Sequence, residues 1–124
     1  MKIIDKALVL VVFLFITKQA FAQNSINQTT AGECAAYTGL AAQMNSGPGN
    51  EKVASTYKNF EQKFRQIRDQ KSYHIFDMYN KQVMDQSINM QRFARDAKNP
   101  SLYSEWVSSG AVKCISVLTK ANQK

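Results

Sequence analysis

Residues 51–67, EKVASTYKNFEQKFRQI, decide the fold class of this chain. Val53, Tyr57, Phe60, Phe64 and Ile67 recur at steps of four and three residues, which places them on one face of an α-helix. Glu61 and Arg65, then Arg65 and Asp69, stand four apart on the outer side, where opposite charges support a helix. A second set continues the pattern: Ile75, Phe76, Tyr79, Val83, Met90, Ala94 and Ala97, flanked by Met84, Ile88 and Phe93. Asp77 with Lys81 and Arg92 with Asp96 would pair outside it. One helix over 51–98 would be about 72 Å long at 1.5 Å per residue. A domain of this size has a radius of gyration near 13 Å. The chain is therefore expected to break within Asp69-Gln70-Lys71-Ser72, with Ser72 as the new cap; an unbroken rod would imply an extended dimer.

Upstream, Asn45-Ser-Gly-Pro-Gly49 interrupts any helix, because proline lacks an N–H and glycine reaches backbone angles that other residues avoid. Asn50 is the expected N-cap of the helix that follows, with Glu51 favourable at its positive end. Before the breaker, Thr30-Ala-Gly-Glu33 matches a capping box. It predicts a first helix to about Met44, with Cys34, Tyr37, Leu40 or Ala41, and Met44 on one face. Alanines 35, 36, 41 and 42 would let a neighbouring helix approach closely, and residues 23–29 would be a loose polar leader.

Downstream, Asn99-Pro100-Ser101 ends the long periodic stretch. Ser101 is expected to cap a short segment over 102–109 that carries Trp106. Gly110 would punctuate it, and a last helix over about 111–121 would bear Val112, Cys114, Ile115, Val117 and Leu118. No strand-like alternation, internal repeat or low-complexity segment is present. The expected class is all-α, a small bundle of four or five helices.

The first 22 residues have the parts of a secretory signal: Lys2 and Lys6, the apolar run Ala7–Ile16, and Ala20-Phe21-Ala22 before a cleavage point at Gln23. The apolar run is too short for a membrane span, which needs about 20 residues. A signal peptide over 1–22, cleaved after Ala22, thus precedes a single helical domain over 23–124. No transmembrane anchor is expected in the mature form. Without residues 1–22 the chain keeps 13 Lys+Arg against 8 Asp+Glu, a basic balance without a run of like charge. That suits acidic partners or an anionic envelope surface, and a nucleic-acid partner is not expected. Cys34 and Cys114 are the only cysteines. In an oxidising compartment they would join the first and last helices, the alternative being a redox-active or intermolecular use of either thiol. Closing a loop of about 81 residues would then contribute at most roughly 4.5 kcal/mol through the unfolded state.

Candidate chemistry is sparse. His74 is the only histidine and has no companion ligands or nucleophile elbow in sequence. Glu33, Glu51, Glu61 and Glu105 are the carboxylates that a glycosidase would draw on, but each has a capping, dipole or surface role to fill. Tyr57, Phe60, Phe64, Phe76, Tyr79, Phe93 and Trp106 read as core at helical spacing. Lys58, Lys63, Arg65, Arg68 and Lys71 are interleaved with acids and read as solvated surface. Asn27-Gln28-Thr29 matches a glycosylation sequon, relevant only in a eukaryotic host. Gln and Asn make up 19 of the 102 residues after the leader. Gln82, Gln86 and Asn89 share one helical face, a polar uncharged surface that suits partly wet protein contacts. No catalytic residue, metal or cofactor is expected.

The layout resembles small two-cysteine helical periplasmic proteins of Gram-negative bacteria. It places Glu33-Cys34-Ala35-Ala36-Tyr37 in an Ala-rich first helix and Val112-Lys113-Cys114-Ile115 in the last. The Kik-type proteins encoded beside type IV secretion genes of conjugative plasmids are among them, and others are immunity proteins. The resemblance implies a non-catalytic periplasmic protein that binds a protein partner in the cell envelope, or forms a homodimer, in support of conjugation. The alternative it leaves open is an immunity protein or inhibitor of a secreted toxin or envelope hydrolase.

Overall fold

A computed structural model of the protein describes residues 26–123, the side chains of 122 and 123 excepted. The expected signal peptide, with its cleavage point after Ala22, lies outside the described residues. Four helices follow in order: α1 (Gln28–Met44), α2 (Glu51–Gln66), α3 (Tyr73–Asp96) and α4 (Ser101–Gln123). The described residues contain no strand. The class is all-α, and a Cys34–Cys114 disulfide joins the first helix to the last, with the two Cα atoms 5.4 Å apart.

The first helix is the axis of the bundle. It is rich in small residues, and its buried positions are not confined to a single inner stripe, the pattern of a helix enclosed by neighbours. Ala31, Gly32, Cys34, Ala35, Ala36, Thr38, Leu40 and Ala41 are all buried. The one-faced helix expected from Cys34, Tyr37, Leu40 and Met44 is corrected accordingly. α2, α3 and α4 each pack against α1, and α3 also packs against α4. Close approach depends on Gly32: a Cβ there would collide with the backbone carbonyl of Phe76 on α3. Asn80 on the same helix donates to the Gly32 carbonyl at 3.0 Å. The buried Thr38 hydroxyl is satisfied within α1 by the Cys34 carbonyl, at 2.6 Å.

The start of α1 differs from expectation. Asn27, not Thr30, is the cap, and its Oδ1 accepts from the Thr30 N–H at 2.8 Å. The expected loose leader therefore ends earlier, since Ile26 is buried in the core and Gln28 is already helical. The capping box fails because Asn27 offers a stronger cap one turn sooner. Gln28 then ties this end of α1 to the turn between α2 and α3. Its amide donates to the Ile67 carbonyl at 2.7 Å and accepts from the Asp69 N–H at 3.1 Å.

The break between α2 and α3 falls where helix length demands it. Ser72 and Asn50 occupy the N-cap positions, but neither side chain makes a capping bond. The Glu51 carboxylate instead closes the turn before α2, accepting from the Gly49 N–H at 3.1 and 3.2 Å. Gly49 itself has φ +89°, a conformation that favours glycine. Of the expected α2 face, Phe64 is fully buried, and Tyr57, Phe60 and Ile67 are half-buried. Val53 is 43 % exposed, because Ala54 and Tyr57 carry the contact one position around the helix. On α3 the buried positions are Phe76, Val83, Ser87 and Ala94. Met84, Ile88 and Phe93 lie outside, the last two more than half exposed, and Ala97 is exposed as well. Several expected ion pairs are re-partnered. Asp77 takes a bidentate Arg68, both bonds 2.8 Å, which spans the turn between α2 and α3. Lys81 turns to Asp85 and Arg95 to Asp96, while Glu61–Arg65 forms as expected.

The final segment is one helix, not two. Val107, Ala111, Cys114, Leu118 and Ala121 are buried at steps of four and three residues straight through Gly110. Val112, counted among its apolar residues, is 60 % exposed. Glycine lowers helix stability by about 1 kcal/mol relative to alanine. Here it is required: a Cβ on Gly110 would overlap the ring of Tyr37.

A candidate binding groove over the disulfide

α1 and α4 run antiparallel, as the Cys34–Cys114 link and the packing of Tyr37 on Gly110 require. With no side chain at residue 110, the Tyr37 ring lies across α4 and meets Trp106, centroids 5.2 Å apart and tilted by 58°. Trp106 stacks in turn on Tyr103, at 6.1 Å and 30°. The Tyr103 hydroxyl accepts from the Gln91 side-chain amide at 3.1 Å, which fixes this end of the ladder to α3. The three rings form a continuous aromatic edge in which one tilted and one stacked pair add attraction beyond their buried area.

Beside this edge lies an open groove of about 420 Å³. Its walls include Glu33, Tyr37, Trp106, Ser109, Lys113 and Val117, and the two bonded cysteines line it from below. Both cysteines are only 4 % exposed, so the sulfurs support the groove without offering themselves to a reactant. Burial pushes the Tyr37 phenol above its ordinary value, and the Glu33 charge adds to that effect. Tyr37 therefore stays a neutral donor through the physiological range. The groove thus presents aromatic faces, two hydroxyls, one carboxylate and one ammonium. That mixture recognises polar, partly apolar partner surfaces.

The residues singled out from sequence do not assemble into a reactive centre. His74 is exposed and packs edge-on against Tyr73, 6.1 Å between centroids. Glu33 lies in the groove, Glu51 bonds the Gly49 N–H in the turn before α2, Glu61 bonds Arg65 at 2.9 Å, and Glu105 is exposed on α4. Backbone N–H groups hold the Glu51 carboxyl below the usual carboxylate range. Arg65 and Arg68 are engaged by acids, while Lys63 lies over the Phe60 ring at 5.6 Å. Among the described residues no group of three or more His, Cys, Asp or Glu could hold a metal ion. None of the described helices is long and apolar enough to cross a membrane. Phe64 and Phe76 are core as expected, but Trp106 belongs to the groove and Phe93 to the surface. Sequence reasoning missed Tyr103. Its three-residue step from Trp106 was the available signal.

No protein-family model, no curated protein and no solved structure matches this chain.

Proposed function

We propose that this chain is a non-catalytic, partner-binding protein of the periplasm, an accessory of a conjugation (type IV secretion) machine. The observation that carries the binding part is the groove between α1 and α4, where Tyr37 and Trp106 stand on a disulfide-tied frame, with Tyr103 stacked against Trp106 outside the groove. Partly exposed Trp and Tyr on a rigid support contribute large contact area with little entropy loss, and they dominate protein interfaces energetically. The buried disulfide supports an oxidising compartment, and the amino-terminal pattern over 1–22 supports export. The conjugation part rests on the resemblance to Kik-type proteins.

The test is plasmid transfer. Deleting the gene from a conjugative plasmid should lower transfer frequency, and the exported protein should restore it. Trp106→Ala should restore it poorly despite normal abundance. Unchanged transfer on deletion ends this reading. A tight one-to-one complex with a toxin, and protection against it, would move the groove to the immunity reading instead.

A further inference from the structure

The turn joining α3 to α4 has a feature that the groove does not use. Lys98 ends α3 with φ +54°, the left-handed conformation that helix ends normally give to glycine. The Asn99 N–H bonds the Ala94 carbonyl at 2.9 Å and the Lys98 N–H bonds that of Arg95 at 3.0 Å. A lysine there costs stability that a glycine would not. Beside it is a mainly apolar pocket of about 430 Å³, lined by Ala94, Pro100 and Tyr103 together with Gln91, Asn99, Arg95 and Lys98. No acidic side chain lines it. The Arg95 contact to Asp96 is long, 3.5 Å, and both side chains are well exposed, so the guanidinium is free to turn to another anion.

We propose that this corner pocket binds the C-terminal residue of a partner polypeptide, one that ends in a large apolar side chain. This rests on the partner-binding reading for the source of the ligand. The size is that of a small ligand site, mainly apolar with a few charged groups that fix orientation. Arg95, on the last turn of α3, and Lys98, just past its end, both line this one pocket and supply two cations to it. The lining fits a carboxylate beside a large apolar group, and a polypeptide offers the two on one residue only at its C-terminal end. The left-handed Lys98 is then a strained residue kept for its charge.

The probe is the peptide Gly-Ser-Gly-Ser-Phe with a free carboxylate, titrated into the ¹⁵N-labelled protein. Its C-terminal amide, N-acetylphenylalanine and sodium acetate serve as comparisons. Saturable shifts at Ala94, Lys98 and Tyr103 are expected with the free peptide, about tenfold weaker with the amide, and weaker still with acetate. Lys98→Gly relieves the backbone strain, so it should fold at least as well as the parent while binding the peptide several-fold more weakly. Arg95→Gln should weaken binding similarly. Equal affinity for amide and acid, unchanged binding by Lys98→Gly, shifts confined to other residues, or no saturable shift would each overturn the proposal. So would N-acetylphenylalanine binding where the peptide does not, because the ligand would then be a free acid. A null result with the transfer defect intact removes this pocket and leaves the groove. Peptide binding with no transfer defect does the reverse.

Discussion

Single atoms decide more of this fold than composition suggests. Gly110→Ala adds one methyl group where the Tyr37 ring already lies. Overpacking of this kind costs about 1–3 kcal/mol, against roughly 1 kcal/mol gained from helix propensity. The expected outcome is a net loss of about 1 kcal/mol in urea unfolding. In a Tyr37→Ala background the same change should be neutral or stabilising, and failure of that reversal would remove the contact from the explanation. Lys98→Gly works in the other sense: relief of a left-handed lysine should raise stability by about 1 kcal/mol. Tyr37 also makes the fold sensitive to alkali. Its folded pKa is raised above the ordinary value of 10.0, mainly by burial and then by Glu33. The contribution is therefore complete below pH 10 and is lost as pH climbs through the higher folded value. Absorbance at the tyrosinate band should show a late-ionising component that Tyr37→Phe removes.

At the level of elements, Phe64 is the pivot of α2, fully buried against α1 where the core also takes in Phe76 and Leu118. Phe64→Ala should cost about 3–5 kcal/mol, whereas Val53→Ala, at an exposed site, should change thermal stability little. The contrast shows what was legible in the sequence and what was not. The spacing from Val53 to Ile67 marked a helix and its inner side, but it could not say that Ala54 would be half-buried and Val53 exposed. The split between α2 and α3 followed from length alone, without a capping side chain at Ser72 to announce it. α1 was harder, since its many small residues mark no single stripe and only its neighbours reveal it as the axis. Gly110 misled for a related reason. A glycine in a helical pattern signals either an end or a close crossing, and the deciding partner, Tyr37, lies far away in sequence. Tyr103 and Trp106 were readable as one face, yet their ladder with Tyr37 needed the antiparallel pairing of α1 and α4.

For the whole molecule the governing question is what holds α4 in place. α4 meets α1 and, at its beginning, α3, and its other end is secured where Cys114, Leu118 and Ala121 enter the same core as Phe64. The disulfide closes the chain across that junction with a sequence separation of 80. A long closed loop restricts the unfolded ensemble more than a short one, and typical bonds of this sort contribute about 2–4 kcal/mol. The aromatic groove depends on the same junction, because Tyr37 and Trp106 come from the two helices that the bond unites. Replacing both cysteines with alanine should therefore lower stability by that amount while far-ultraviolet circular dichroism keeps its helical form. Tryptophan fluorescence is the sharper readout. With α4 less firmly held, the Trp106 signal should report loosening at lower urea than the helical signal does. Coincident transitions would show instead that α1 packing alone keeps α4 docked, and the bond would then serve stability without shaping the groove.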